Sequence, residues 1–381
     1  VATHYQVRLK GTDGLVTAVF EDTGGFLSLK YSHKVNGISA FELVLRGDDP
    51  RIPLFVADAQ VEIWRRHQLW DLDWYPEFEG VVRAPVSKVP QGDAKTFSAN
   101  GQSYTDFLRR RVIAYSQGSV GAAKSGPAET AMKAYVKENL GSLATLGNGR
   151  MSAGVMTGLS VQTDLALGST WTGDRSYEKL PKVLQEIAAA TGLDFDIVGT
   201  GAGLFEFRTY VGQRGTDRST LGLDTFTARN GVGNTPVIFS IENETMVDVV
   251  YSLNRTDEVN RYFILGQGQG SIRQITVSDD ASLQDDSPWN LCEESRNAVR
   301  EGDVASLPLI GSAALAQAKI RKEFSFKVLQ QPQQLYGKHY TWGDKVTADF
   351  QDVATHLKIV GMTGAFAEGG ERIELEFAEV G

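Results

Sequence analysis

Tyr31-Ser32-His33-Lys34-Val35-Asn36-Gly37-Ile38-Ser39-Ala40-Phe41-Glu42-Leu43-Val44-Leu45 reads as strand, turn and strand, and Tyr251-Ser252 opens a second such stretch that ends in Arg261-Tyr262-Phe263-Ile264-Leu265. The spacing from the Tyr-Ser pair to the closing leucine is the same in both, without a gap. Alternation at period two marks a half-buried strand, and recurrence at a distance predicts a duplicated β unit.

The repeat continues downstream. Ala59-Gln60-Val61-Glu62-Ile63-Trp64 is matched by Asp344-Lys345-Val346-Thr347-Ala348-Asp349, and Glu79-Gly80-Val81-Val82 by Leu357-Lys358-Ile359-Val360. Gln91-Gly92-Asp93 and Glu368-Gly369-Gly370 supply turns, and each copy closes on a strand, Lys95-Thr96-Phe97-Ser98 and Arg372-Ile373-Glu374-Leu375-Glu376-Phe377. On this reading Phe263 and Leu265 take the places of Leu43 and Leu45, and Val346 that of Val61.

Seven strands are expected in the first hundred residues: Tyr5 to Leu9, Leu15 to Phe20, Phe26 to His33, Ser39 to Arg46, Gln60 to Trp64, Phe78 to Val86 and Thr96 to Ala99. That number fits a small barrel. Ser103 is placed to cap a short helix carrying Phe107 and Leu108 and ending in Arg109-Arg110-Arg111. Beyond it, Pro127 with Met132, Tyr135, Val136 and Leu140 predicts a helix of about fourteen residues. Leu180, Val183, Leu184, Ile187 and Ala188 predict another, starting near Lys179 because of Pro181 and stopping at Gly192.

Strands over 193–198 and 204–210 then complete an α/β unit. The expected architecture is mainly β with α+β parts: one barrel over 1–112, an α/β domain over 113–212, and a second, similar barrel from 213–266 and 332–381. An insertion over 267–331, with a helix from Ser312 to Lys322, interrupts the second barrel.

Composition excludes several classes. The chain has 381 residues, 41% hydrophobic and 22% charged, an ordinary globular balance. A net charge of −9 has the wrong sign for gripping phosphate. The single cysteine, Cys292, precludes an internal disulfide and a multi-cysteine zinc site, and is expected as a small buried hydrophobe. No apolar stretch nears the roughly twenty residues that cross a bilayer. Val1-Ala2-Thr3-His4-Tyr5 lacks a signal pattern, so synthesis in a cytoplasm without stable membrane association is expected.

The search for chemistry finds no catalytic, cofactor-binding or metal-ligating set. His4, His33, His67, His339 and His356 include no pair at helical metal-site spacing. Gly199-Thr200-Gly201-Ala202-Gly203 and Gly266-Gln267-Gly268-Gln269-Gly270 lack the Lys-Ser/Thr of a phosphate loop and read as turns. Asp71, Asp73, Glu77 and Glu79 around Trp70, Trp74 and Tyr75 could suggest the carboxylates and aromatic platforms of a glycosidase cleft, but nothing fixes their separation, and a solvated loop with aromatic anchors at a protein interface is the favoured reading. Asp279-Asp280 and Asp285-Asp286 lack the spacing of a calcium loop. Arg109-Arg110-Arg111 suits an acidic neighbour, a phosphate or ordinary helix-end charge placement.

Phe26 to Leu45, Val61 to Val82, Gly101-Gln102-Ser103-Tyr104-Thr105-Asp106-Phe107-Leu108, Tyr340-Thr341-Trp342-Gly343-Asp344-Lys345-Val346 and Arg372 to Phe377 resemble, in order and spacing, the tail hub proteins of long-tailed bacteriophages, including baseplate hubs. The resemblance covers nearly the whole chain. It implies a homotrimer whose six tube-like barrels form a pseudo-hexameric ring at the tail tip of the virion, without enzymatic activity and without a cofactor. Implied partners are the tail tube or distal tail protein, the tape measure protein and tip, spike or fibre proteins, with DNA only in transit. Some such proteins carry an extension after the second barrel; with Gly381 a few residues past Phe377, none is expected here. The alternatives are a tail-tip cell-wall hydrolase and a receptor-binding module.

Overall fold

Tyr5, Val7 and Leu9 alternate inward along the first strand, β1 (Thr3–Lys10), and the same period-two burial recurs in several of the other β elements. The computed structural model describes residues 3–89, 94–115, 118–298, 306–318, 321–351, 353–368 and 370–380. After β1 come β2 (Val16–Glu21), β3 (Ser28–Lys34), β4 (Ala40–Arg46), β5 (Gln60–His67), β6 (Leu72–Lys88) and β7 (Thr96–Ser103), the seven expected strands. The expected turn at Gln91, Gly92 and Asp93 lies outside the described residues. Helix α1 (Asp106–Arg109) follows Thr105. Ser103 is not its cap: it ends β7, where its hydroxyl accepts the Ser39 N–H at 3.1 Å.

The α/β unit comprises β8 (Lys124–Pro127), α2 (Ala128–Asn139), β9 (Leu159–Val161), β10 (Thr170–Gly173), α3 (Leu180–Thr191), β11 (Leu193–Gly201) and β12 (Leu204–Val211). Both helices bury the apolar faces read from the sequence, although α2 has twelve residues rather than fourteen. Lys179 and Gly192 bound α3 as expected, and Gly192 takes φ 69°. A Cβ there would meet nothing within 4 Å, so Gly192→Ala should cost only the left-handed backbone penalty, about 1 kcal/mol, read from the urea midpoint.

The second half contains β13 (Ile238–Ser240), β14 (Met246–Asn254), β15 (Arg261–Leu265), β16 (Ile275–Asp279), α4 (Ala281–Gln284), β17 (Glu293–Asn297), α5 (Leu307–Gln317), β18 (Arg321–Val328), β19 (Lys345–Phe350), β20 (Val353–Ala367) and β21 (Gly370–Glu379). The equal spacing of the two stretches does not reflect equal pairing. Tyr31 pairs with Phe41 within the β3–β4 hairpin, but β14 pairs with β18, and β15 lies in a separate sheet between β16 and β17. Phe263 and Leu265 therefore do not occupy the places of Leu43 and Leu45. The alternation of β15 is real, with Tyr262 and Ile264 buried alongside Leu307 and Leu315 of α5, but a period of two does not name a partner strand. The helix expected over Ser312 to Lys322 is α5, five residues earlier at its start, and Lys322 belongs to β18. Cys292 is half-buried rather than a core residue.

An eleven-stranded sheet runs β13-β19-β20-β3-β4-β7-β6-β5-β1-β2, with β21 beside β20, so the chain is mainly β with α+β parts. Among the described residues no ring of hydrogen-bonded strands closes into a barrel. The long strand β20 crosses between the halves: Val353 to Lys358 pairs with β19, and Gly361 to Phe366 pairs with β3. One core accordingly holds Tyr5, Leu43, Val61 and Phe78 from the first half with Phe239, Val346 and Ile359 from the second. The α/β unit has its own core around Met132, Tyr135, Leu184 and Phe207.

Candidate functional site

Val61, Ile63 and Arg65 share the inward face of β5, so a guanidinium sits where alternation calls for a hydrophobe. Arg65 is wholly buried. Its Nε and Nη2 donate to Glu371 Oε1 and Oε2 at 2.6 and 2.8 Å, and Nη1 donates to the Tyr336 carbonyl at 2.9 Å and to Tyr75 Oη at 3.1 Å. Glu371 also accepts from the Tyr5 hydroxyl and, at 3.2 Å, from that of Thr3, while Tyr31 Oη lies 3.0 Å from Tyr5 Oη. The planar fork matches the carboxylate at two points, and the added bonds offset desolvation of both charges. Burial alone would raise the Glu371 pKa, but the bonds and charge of Arg65, with the hydroxyls, hold it below the usual glutamate value. This lattice joins the tip of the β20–β21 hairpin to the first half.

Beside it lies a cavity of about 320 Å³ where the first half, β11 and the 337–342 loop meet. His33 stacks on Trp342 with ring centres 4.6 Å apart, and the Arg214 guanidinium sits 3.6 Å from the same ring. Glu77 accepts from Tyr336 Oη at 2.9 Å, and His33 Nε2 lies 3.3 Å from it. Asp196 accepts from Thr105 Oγ1 at 2.7 Å and pairs with Arg214 at 3.1 Å. Burial, with repulsion from Glu62, raises the Glu79 pKa; the carboxylate accepts the Gly199 N–H. These polar groups hold three parts of the chain together.

The carboxylate and aromatic cluster read around Trp70 divides between two environments. Asp71 and Asp73 are exposed on the surface, whereas Glu77 and Glu79 face the cavity. Trp70 stacks on His67 at 4.2 Å, Trp74 lies beneath Arg66 at 4.8 Å, and Tyr75 reaches Arg65. The four acids do not share one cleft, and the rings are occupied within the chain. The other histidines also have local roles: His4 is 3.1 Å from Asp22, His339 Nδ1 accepts the Leu335 N–H, and His356 meets Thr347 Oγ1 at 3.0 Å. Among the described residues no three His, Cys, Asp or Glu side chains gather as a metal site.

Gly199 to Gly203 spans the β11–β12 turn, packed on the β1–β2 turn so closely that a Cβ on Gly14 would lie 2.3 Å from Gly203 N. Gly266 to Gly270 leads into a short 3-10 turn. Asp279 pairs with Arg261 at 2.6 Å, Asp280 precedes α4, and Asp286 meets Arg255 at 2.5 Å. Asp106, fully buried, pairs with Arg109 at 2.6 Å and with Arg110 at 2.9 Å. Sequence reasoning passed over Arg65, Glu371 and Asp106. The legible signal for Arg65 was a charge on the apolar phase of a strand.

Solved structures share the fold of this chain. A tail protein from Neisseria meningitidis MC58 superposes with a TM-score of 0.56 at 12% identity, covering 100% of this chain and 96% of that one. The 43 kDa tail protein of prophage MuSo2 from Shewanella oneidensis gives 0.57 at 10% identity, covering 98% and 97%. Prophage tail protein gp18 from Listeria monocytogenes gives 0.52 at 8% identity, covering 98% and 94%. At such identities the likeness is one of fold. No curated protein matches the chain by sequence. The profile of one family does match, over residues 18–377, which spans both halves and the α/β unit, and the chain therefore belongs to the Siphovirus ReqiPepy6 Gp37-like protein family and has the fold of phage tail proteins.

Proposed function

We propose that this chain is the hub of a phage tail tip, three copies of which form a ring that joins the tail tube to tip or baseplate proteins and surrounds the DNA path. The observation that supports this reading is a succession of strands in the second half that resembles the first, with β14 and β18 as a two-stranded sheet of their own. In the first half, β3 to β7 lie in the order β3-β4-β7-β6-β5. In the second, β14 pairs with β18, β18 packs on β21 through Phe326 and Phe377, stacked at 4.5 Å, and β21-β20-β19 follow. On this mapping β14 stands for β3, β18 for β4, and β19 for β5 with Val346 in the place of Val61.

The division of the chain shifts accordingly: a first barrel-like unit to residue 112, the α/β unit over 113–212, and a second barrel-like unit from 213–254 and 321–381. The insertion is then 255–320, at the tip of the second hairpin. Three chains carrying two similar units each present six similar faces around one axis, as a junction between sixfold and threefold parts requires. A net charge of −9 favours letting DNA pass over holding it. The tail tube or distal tail protein and the tape measure protein are the expected neighbours on one side, and tip, spike or fibre proteins on the other. The role assigned is structural and not catalytic. Immunogold labelling of intact virions with antibodies to this chain tests it: label should gather at the tail end distal to the capsid, and label along the tube or at the capsid would refute the assignment.

A further inference from the structure

The three consecutive arginines that close α1 differ in their partners. Arg109 and Arg110 are neutralised by Asp106, and Arg110 Nη2 also lies 3.0 Å from Asp58. Among the described residues Arg111 instead reaches main-chain oxygens alone, those of Arg110 at 3.3 Å and Gly154 at 3.4 Å. Its Nε is buried without a partner, as is the Nε of Arg150. Among the described residues neither Arg111 nor Arg150 has a carboxylate within 4.0 Å. The two guanidiniums are neighbours about Gly154, where a Cβ would meet Arg150 Nη1 at 2.9 Å. Burial, then the charges of Arg150 and Arg110, lower the Arg111 pKa from its usual value. Like charges drawn together in a chain of net charge −9 leave one local demand unmet, an anion.

Arg110 and Arg111 line a cavity of about 260 Å³ at the seam between the first half and the α/β unit, with Phe107, Leu140, Met156 and Phe205 as apolar walls; the one carboxylate in the lining, Asp58, is taken up by Arg110 and Arg83, which leaves Arg111 as its uncompensated charge. A bare phosphate would leave those walls wet, and a polyanion would approach an acidic protein. A carboxylate carried beside an apolar group satisfies both parts of the lining: the fork of Arg111 takes the charge and the walls take the apolar body.

We propose that this cavity is a docking site for an acidic residue beside an apolar side chain, presented by a neighbouring protein of the tail. The source of that segment rests on the tail-tip reading; the chemistry of the site does not. Isothermal titration of the purified full chain with 3-phenylpropionate, its uncharged amide and inorganic phosphate tests the chemistry. The carboxylate should bind saturably, the amide and phosphate at least tenfold more weakly. Arg111→Gln should weaken carboxylate binding by about tenfold or more, the scale of one lost charge-assisted pair. Removing a half-buried charge that has no carboxylate partner should leave the thermal midpoint little changed; should that variant fail to fold, Arg111→Lys, which keeps the charge and loses the fork, should still weaken binding several-fold. Absence of saturable binding by 3-phenylpropionate, equal affinity for phosphate, or full affinity in a folded Arg111→Gln would each overturn the proposal. Immunogold labelling decides the tail-tip reading separately.

Discussion

Arg65→Met should destabilise the chain by about 3–5 kcal/mol, because it leaves Glu371 buried without its cation and removes the donor to the Tyr336 carbonyl. Urea denaturation reads this loss directly. Arg65→Met combined with Glu371→Leu should recover a large part of it, since replacing both members of a buried pair by apolar groups removes the desolvation of each. The pH dependence has a definite sign. The Glu371 pKa is held below the unfolded value of about 4.3, so its contribution is complete above that value and is lost as pH falls through the lower folded value. In Arg65→Met burial acts on Glu371 without the cation and raises its pKa, so the deficit should shrink on acidification. A deficit that stays constant down to about pH 3 would show that the Arg65 to Glu371 pair does not supply the stability assigned to it.

Gly364→Val should also be strongly destabilising, by about 3 kcal/mol, the upper end for overpacking. Gly364 lies opposite Tyr31 across the β20–β3 pairing, and a Cβ there would fall 2.4 to 2.7 Å from atoms of the Tyr31 ring. That ring has little room to retreat, with Phe78, His33 and Tyr5 at centroid distances of 6.4, 6.0 and 6.1 Å. Its displacement would also part Tyr31 Oη from Tyr5 Oη beside Glu371. Hydrogen exchange should show the loss concentrated in the amides of β3 and the second half of β20. Gly364→Val with wild-type stability would mean that this seam yields without cost.

Local patterns were legible in the sequence where one face of an element meets one core. Tyr5, Val7 and Leu9 alternate because one side of β1 is buried, and Leu180 to Ala188 recur at helical spacing because one side of α3 is buried. Pairing between distant elements was not legible on the same terms. The stretch from Tyr251 to Leu265 keeps the spacing of Tyr31 to Leu45, yet β18, more than fifty residues beyond β15, is the partner of β14. Alternation reports that a strand has an inside and is silent about its neighbour, so an insertion at a hairpin tip hides behind any nearby strand of the right period. The joint was harder to see because its two ends, Arg65 and Glu371, are 306 residues apart. Only Arg65 departs from its local pattern; Glu371 follows a turn where an acidic residue is unremarkable. The acids around Trp70 drew notice by proximity in sequence, but β6 turns Glu77 and Glu79 toward the cavity while Asp71 and Asp73 stay at the surface.

The proposed insertion of residues 255–320 at the tip of the β14–β18 hairpin also fits the hub reading physically. A segment whose ends enter through paired strands can be carried without disturbing the sheet that holds it. Its small core of Tyr262, Ile264, Leu307 and Leu315 is separate from the core shared by the two halves.

Symmetry is the most direct measurement of the central claim. Electron cryo-microscopy of intact tail tips, reconstructed without imposed symmetry, should show three copies of this chain around the axis, with β3-β4-β7-β6-β5 and β14-β18-β21-β20-β19 alternating as six similar units in one ring. Six copies under strict sixfold symmetry, or two strand sets at unrelated radii and tilts, would contradict it.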